Sequence, residues 1–267
     1  MSFSSRSRST VDLPENGDRI LRGVHGDFGV LHRSYRVLQV PDAVCYLGDL
    51  QNEQGKGMKR GTKVPTIQRE CNMKGVLFDL DGTLTRPGAL DFPSIRAEIN
   101  CPPHLPVLEF IQTQPPGQRI RLFQLLEKRE EAAALRSSPN KGAVRCLSAL
   151  KERGIPMGII TRNSLQSVRS CMVNFHGIEL EDFSAIITRA DSLPKPHPDG
   201  VLKAALRMGI PVQELLLVGD FRFDIIAGKA AGARTVLLTN DGRSAMSPED
   251  PRPDHVVGRL DMILDLL

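Results

Sequence analysis

Two carboxylates directly follow a short apolar run in Val76-Leu-Phe-Asp79-Leu-Asp81-Gly-Thr83-Leu-Thr85, where a buried strand would end. In open parallel sheets, ligands bind at the carboxyl ends of the strands. The two-residue spacing puts both carboxylates on the same side if the chain stays extended, and Gly82 permits the sharp departure that follows. The alternative is a simple turn, because Asp-Gly commonly closes hairpins. The other strand ends must therefore distinguish a site from a turn.

From Met73 onward, short apolar runs alternate with helical patterns. The later runs are Met157-Gly-Ile-Ile, Ala185-Ile-Ile, Leu215-Leu-Leu-Val and Thr235-Val-Leu-Leu. Before the first of these, residues 141–153 form a helical stripe that Gly154 ends. This alternation predicts an α/β fold with a Rossmann-like, three-layer α/β/α parallel sheet.

One interval interrupts the alternation. Between Thr85 and Lys141 there is no strand signal, and helical patterns cover residues 92–99, 107–111 and 119–135. Two proline pairs separate these helices, since proline cannot continue a helix and disfavours helical geometry in the preceding residue. We therefore predict a core domain of residues 73–85 and 141–267 with a small inserted helical cap of residues 86–140.

Residues 1–72 differ in composition and in hydrophobic pattern from the rest of the chain. They have a Ser/Arg-rich start, a strand-like alternation only at residues 30–40, and a linker-like polar run at residues 51–61. Met73 immediately precedes the first strand, as an initiating methionine would. We expect residues 1–72 to be a poorly ordered extension that catalysis does not need, and a misassigned translation start is one version of this hypothesis.

Charge and composition exclude several classes of protein. Residues 1–72 hold 11 Lys+Arg against 8 Asp+Glu, and residues 73–267 hold 24 against 23, so the net charge of +4 comes mostly from the N-terminal segment. Nucleic-acid binding by that segment is an alternative to a flexible basic tail, and none is expected of the rest. No stretch approaches the ~18 apolar residues of a membrane span, and Met1-Ser-Phe-Ser-Ser-Arg lacks the apolar core of a secretory signal, so the expected location is cytoplasmic. The five cysteines are odd in number and scattered, which indicates reduced structural thiols.

The second strand end offers a hydroxyl. In Gly158-Ile-Ile-Thr161-Arg-Asn163-Ser164 a helix is expected just after the strand, and a hydroxyl with backbone N–H groups at a helix start suits a phosphoryl oxygen. Thr161 is the candidate for that contact. A plain N-cap role for Asn163 or Ser164 is the simpler interpretation of those two residues.

Two further loops supply a cation and a metal site. Lys195 lies in a proline-stiffened loop before a helix, where a positioned ammonium would offset phosphoryl charge, while His197 beside it is expected to pack or cap. Asp220 and Asp224 follow another buried strand. Magnesium prefers hard oxygen ligands, so Asp79 and Asp220 predict a Mg²⁺ site. Asp224 is expected to orient the ligands without binding the metal itself.

Taken together, these strand-end residues resemble the haloacid dehalogenase-like hydrolase superfamily over residues 73–267. The position of the helical insertion is similar to that in the small-cap branch, which includes phosphoglycolate phosphatases. The resemblance implies that Asp79 is the nucleophile, and that Asp81 is the general acid and base with its backbone carbonyl on Mg²⁺. It also implies that Asp220 is a metal ligand, and that Thr161 and Lys195 hold the phosphoryl group.

The chain departs from the family pattern after Thr161, where Arg162 and then Asn163 follow instead of a small residue or asparagine; we count both as substrate-binding candidates. Asp81 favours phosphate monoesters over dehalogenation. The expected function is therefore a Mg²⁺-dependent phosphatase that acts on a small phosphorylated metabolite, such as 2-phosphoglycolate or a sugar phosphate, through an aspartyl-phosphate, with the cap excluding water. The alternatives are a phosphomutase, for which Arg96 and His104 are the cap candidates, and a catalytically silent binding module.

Overall fold

The computed structural model describes residues 73–242 and 246–267. The expectations for residues 1–72, including the strand-like alternation, the linker and the dispensable extension, lie outside the described residues.

A single parallel sheet forms the centre of the described chain. Its strands are ordered β3-β2-β1-β4-β5-β6, which confirms the predicted α/β class. The strands are β1 (Gly75–Phe78), β2 (Met157–Ile160), β3 (Phe183–Ile187), β4 (Leu215–Gly219), β5 (Arg234–Leu238) and β6 (His255–Val257). The sequence predicted the first five strands, whereas β6 has only three residues and gave no signal.

Helices connect the strands. They are α1 (Phe92–Ile99), α2 (Val107–Gln112), α3 (Pro116–Arg136), α4 (Ala143–Glu152), α5 (Leu165–Met172), α6 (Asp199–Met208) and α7 (Arg222–Ala231). Short helical turns lie at Leu80–Leu84, Leu180–Asp182, Val212–Glu214 and Leu260–Leu266. Helix α3 begins at Pro116, because proline is well suited to the first turn of a helix.

Both faces of the sheet are covered, which gives the three layers. In β1, Val76 and Phe78 pack with α4, α5 and the C-terminal turn, while Leu77 points to the opposite face and packs with α6 and α7. This follows from the alternation of side chains along a strand. A sheet buried on both faces explains why the strands are almost wholly apolar and why polar residues begin only where the strands end.

Residues 86–140, which we call the helical segment, contain α1, α2 and α3. They have an apolar cluster of their own, which includes Ile95, Ile99, Leu108, Ile111 and Leu126. The far end of α3 packs against α5 of the sheet layers.

Asn140 fixes the turn that follows β1. Its side-chain amide donates to the carbonyl oxygens of Gly82 at 2.9 Å and Thr83 at 3.0 Å, and to Oδ1 of Asn240 at 2.8 Å. Asn240 in turn donates to the Gly82 carbonyl at 2.9 Å. The turn carrying the two predicted carboxylates is therefore held by side chains from distant parts of the chain.

The described cysteines are free and buried. Burial raises the pKa of Cys146 and Cys171 to about 12, so neither thiol forms a thiolate readily. The expectation of structural thiols is met for these residues. Within residues 73–242 and 246–267, no helix is long and apolar enough to cross a membrane.

Replacing Asn140 by alanine should destabilise the protein by about 2 kcal/mol, because the Thr83 carbonyl oxygen and Oδ1 of Asn240 lose the donor that Asn140 provides, while Gly82 keeps the bond from Asn240. Urea unfolding of the full chain measures the change. Asn174→Ala is the matched control, since its amide makes longer bonds of 3.3 and 3.4 Å to Ala134 and Leu135, nearer the surface. We expect a cost of about 0.5 kcal/mol there. Equal losses in the two variants would contradict the role given to Asn140.

Candidate active site

Predicted site residues lie at the carboxyl ends of three neighbouring strands, at one edge of the sheet. Asp79 follows β1, Thr161 follows β2 and Asp220 follows β4, and β1 lies between the other two strands. Since all strands are parallel, their carboxyl ends meet at the same edge. A cavity of about 530 Å³ there is lined by every residue that the sequence singled out for the site: Asp79, Asp81, Thr161, Arg162, Asn163, Lys195, Asp220 and Asp224.

Lys195 lies at the centre of the site. Its Nζ donates to Oδ1 of Asp79 and to Oδ1 of Asp224, each at 2.5 Å, and to the carbonyl oxygen of Ile160 at 3.2 Å. The Lys195 side chain is only 5% exposed. A buried ammonium requires partners of this kind, because an unpaired charge inside a protein is costly.

The N-cap predicted at Asn163 or Ser164 is Ser164, and Asn163 has a different contact. Its amide donates to Oδ2 of Asp81 at 2.6 Å. The helix cap is Ser164 alone, whose hydroxyl accepts from the backbone N–H of Ser167 at 3.2 Å. Asn163 therefore orients one carboxylate oxygen of Asp81.

Thr161 and His197 have different surroundings. Thr161 is buried and lines the cavity, and its hydroxyl accepts from the backbone N–H of Asn163 at 3.1 Å. His197 is exposed, and its Nδ1 accepts from the backbone N–H of Asp199 at the start of α6, at 3.1 Å. The expected capping role of His197 agrees with this contact.

Three carboxylates form a group that could hold a cation. One oxygen each from Asp79, Asp220 and Asp224 lies within 4.8 Å of the others. Gly82 makes room for Asp220: its φ is +80°, and a Cβ at this position would lie 2.1 Å from Oδ2 of Asp220. The Asp81 carboxylate lies outside the group and faces Asn163 instead. Asp224 also accepts from the backbone N–H of Phe221 at 3.2 Å, so its carboxylate is fixed on two sides.

The concentration of carboxylates perturbs their protonation. Burial raises the pKa of Asp79, opposed by Lys195 and reinforced by Asp224 and Asp220. Burial together with the negative charge of Asp224 raises the pKa of Asp220 to about 7. Burial opposes the charge on Lys195, but Asp224 and Asp79 outweigh it and raise the pKa of this lysine. Carboxylates that repel one another in this way are suited to binding a divalent cation.

The pKa of the Asp81 carboxyl is set by different neighbours. Burial raises its pKa, and the hydrogen bond from Asn163 and the charge of Lys195 only partly oppose this. A carboxyl whose pKa is raised toward neutrality can carry a proton and also take one up.

Two arginines at strand ends contact the helical segment. Arg162 donates from Nη2 to both carboxylate oxygens of Glu109 at 2.8 and 2.6 Å. Arg189, just after β3, donates from Nη1 to both oxygens of Glu130 at 2.8 and 2.7 Å, and to the carbonyl oxygen of Arg162 at 3.3 Å. Burial raises the pKa of Glu130 to about 7, although Arg189 opposes the shift.

Glu109, Glu130 and Arg189 were not predicted from the sequence as residues of the site. Arg189 could have been found, because it follows a predicted strand as the other site residues do. The two glutamates lie on helices whose orientation toward the sheet edge cannot be read from periodicity.

Comparison with known proteins agrees with this arrangement. Residues 73–232 match the family model of the haloacid dehalogenase-like hydrolases. An uncharacterized hydrolase of Saccharomyces cerevisiae is 34% identical over 181 residues, which cover 67% of this chain and 83% of the yeast protein. The phosphoglycolate phosphatase of Escherichia coli O157:H7 is 27% identical over 240 residues, covering 73% of this chain and 93% of that enzyme.

Among solved structures, a hydrolase from Pseudomonas syringae has the same fold. It superposes with a TM-score of 0.60 at 23% identity, covering 72% of this chain and 96% of that one. The family model, the yeast relative and the fold agree, and the chain belongs to the haloacid dehalogenase-like hydrolase family.

Proposed function

We propose that the protein is a Mg²⁺-dependent phosphatase that hydrolyses a small phosphate monoester through an aspartyl-phosphate on Asp79. The observation that supports it best is the set of contacts around Asp79: the Lys195 ammonium at 2.5 Å on Oδ1, with Asp220 and Asp224 close by. A carboxylate held beside a fixed cation at a strand end is placed to attack a phosphoryl group whose charge that cation offsets.

In the first step, an oxygen of Asp79 attacks phosphorus and the bond between phosphorus and the ester oxygen breaks. Asp81 donates its proton to the departing alcohol oxygen. The Thr161 hydroxyl and the Lys195 ammonium hold the phosphoryl oxygens, and Arg162 and Asn163, the other two substrate-binding candidates from the sequence, line the same cavity.

In the second step, the Asp81 carboxylate takes a proton from water and the water oxygen attacks phosphorus. The bond from phosphorus to Asp79 breaks, and inorganic phosphate leaves. The raised pKa of Asp81 and its orientation by Asn163 at 2.6 Å suit it to both transfers.

Mg²⁺ fits the oxygen donors of the site. Asp79 and Asp220, with the backbone carbonyl of Asp81, would hold it, and Asp224 would orient them through Lys195 and the N–H of Phe221. The cation would neutralise charge on the phosphoryl group and so lower the repulsion of the attacking carboxylate. Burial and the negative charge of Asp224 raise the pKa of Asp220 to about 7, and a bound cation would offset that charge.

The helical segment is proposed to be the cap that excludes water from the site. Support comes from its position at the cavity, where α1, α2 and α3 contribute lining residues, and from the ion pairs that Glu109 and Glu130 make with strand-end arginines. The relative from Escherichia coli makes 2-phosphoglycolate the first compound to test, together with sugar phosphates.

Asp79→Asn should reduce phosphate release by about a thousandfold or more, because an amide is a poor nucleophile toward phosphorus. The measurement is release of inorganic phosphate from a panel of monoesters with Mg²⁺. Asp265→Asn, the same change at an exposed position, is the control and should keep full activity. Unchanged turnover by Asp79→Asn would exclude the mechanism.

Asp81→Asn should lower turnover of alkyl esters by about 10²- to 10⁴-fold, since both proton transfers are lost. With an aryl ester, whose leaving group needs no proton, the first step should survive and the phosphorylated enzyme should accumulate. Intact-protein mass spectrometry after rapid quenching would detect one added phosphoryl group. An Asp79→Asn/Asp81→Asn double variant is the control and should gain no phosphoryl group. A phosphoryl group on that variant would show that the covalent bond forms on a residue other than Asp79.

Removing divalent cations with a chelator should abolish phosphate release, and added Mg²⁺ should restore it. Asp220→Asn should raise the Mg²⁺ concentration for half activation, because it removes one ligand charge. Binding of Mg²⁺ to the folded wild type should also raise its melting temperature, and less so in Asp220→Asn. Full activity in the chelator would reject the metal site.

A further inference from the structure

The wall of the cavity beyond the catalytic carboxylates is predominantly apolar. The helical segment contributes Leu105, Val107, Leu108 and Leu126, and the start of α7 contributes Phe221, its N-cap, and Phe223. The two phenylalanine rings meet edge to face, with centroids 5.0 Å apart. A polyhydroxylated or carboxylated alcohol would find few hydrogen-bond partners on such a wall, whereas an apolar group would be removed from water there.

Each arginine of the cavity that the structure describes already donates to a partner within the protein, although the buried Nε of Arg222 has none. Arg96 donates from Nη1 to the carbonyl oxygens of Leu105, of Pro102 at 3.2 Å and of Pro103 at 3.3 Å. Arg222 pairs with Asp250 at 2.5 Å. His104, a candidate for a phosphomutase, lines the cavity but is exposed, where a charge pair contributes little.

Arg162 is the basic residue best placed to meet a second anionic group of a substrate, and it is held in place from three sides. Glu109 binds it with two oxygens, its Nη1 donates to the carbonyl oxygen of Lys195 at 3.2 Å, and its guanidinium lies over the Phe223 ring, 5.1 Å from the centroid. The pair is partly buried, with side-chain exposures of 20% for Arg162 and 34% for Glu109. A two-oxygen arginine–carboxylate pair is the strong form of this contact.

An anionic alcohol portion would therefore have to displace Glu109 from Arg162. It would also lie close to the carboxylates of Asp79, Asp81, Asp220 and Asp224, which repel it. An uncharged alcohol meets neither obstacle.

We propose that the substrate is a phosphate monoester whose alcohol portion is uncharged and carries an aromatic or aliphatic group that packs against Leu108, Leu126, Phe221 and Phe223. Glu109 determines this specificity by keeping Arg162 from pairing with an anion. The inference rests on the proposed phosphatase function and places 2-phosphoglycolate and sugar phosphates among the poor substrates.

The test compares benzyl phosphate with 4-carboxybenzyl phosphate, which differ by one carboxylate remote from the phosphoryl group. The full chain with Mg²⁺ should have a kcat/KM about tenfold or more higher for benzyl phosphate, and benzyl phosphate should also exceed 2-phosphoglycolate and glucose 6-phosphate. Wild-type protein that hydrolyses the carboxylated ester equally well or better would overturn the proposal.

Glu109→Gln frees Arg162 and should reduce the preference for benzyl phosphate about tenfold, mainly by improving kcat/KM for the carboxylated ester. Glu98→Gln removes a carboxylate from the Arg129 pair at 2.7 Å, which lies outside the cavity, and should leave the ratio unchanged. An unchanged ratio in folded Glu109→Gln would refute the role of Glu109.

Binding of the corresponding phosphonates, measured by calorimetry, separates the two proposals. If no ester is hydrolysed but benzylphosphonate binds about tenfold tighter than its carboxylated analogue, the phosphatase proposal fails and the ligand class stands. If esters are hydrolysed with no preference for the apolar alcohol, the phosphatase stands and the inference fails.

Discussion

The buried ammonium of Lys195 is the contact on which the site depends. It lies within 2.5 Å of both Asp79 and Asp224 and is 5% exposed. Removing one partner of a buried ion pair costs about 3–5 kcal/mol, so these groups hold one another in place. Because Asp79 ends β1, Asp224 lies in the first turn of α7 and the third acceptor is the carbonyl of Ile160 in β2, one side chain joins three elements of the fold. This contact therefore holds the loop of Lys195 against the ends of β1 and β2 and the start of α7.

The sheet and most of the site residues could be predicted, because both depend on patterns that are local in the sequence. Apolar runs of four or five residues separated by helices require a parallel sheet, and a parallel sheet brings Asp79, Thr161 and Asp220 to one edge. β6 was not predicted, because three residues carry too little periodicity. The contact from Asn163 to Asp81 joins residues 82 positions apart. Sequence spacing does not distinguish this role of Asn163 from that of a helix cap. The contact with Asp81 arises because β2 packs beside β1.

The helical segment is fixed to the sheet edge through acidic residues that sequence could not orient. Glu130 is 3% exposed and its partner Arg189 is 12% exposed, so this pair is desolvated. The pair of Glu109 with Arg162 lies nearer to solvent. Arg189 also donates to the carbonyl oxygen of Arg162 and from its own N–H to that of Asn163, so the loop that carries the predicted phosphate contacts is bonded to the same residue that binds α3. The placement of α3 and the geometry of the loop after β2 are therefore coupled.

Gly82 connects two stretches of sequence that are 138 residues apart. The Asp220 carboxylate occupies the space that a side chain at position 82 would need. A Cβ there would lie 2.1 Å from Oδ2 of Asp220. Any side chain at position 82 would strain a left-handed backbone and also push the acid of β4 away from Asp79. The two positions can therefore change over evolution only in concert: in homologous chains, a residue other than glycine after the second aspartate should coincide with a changed loop after β4.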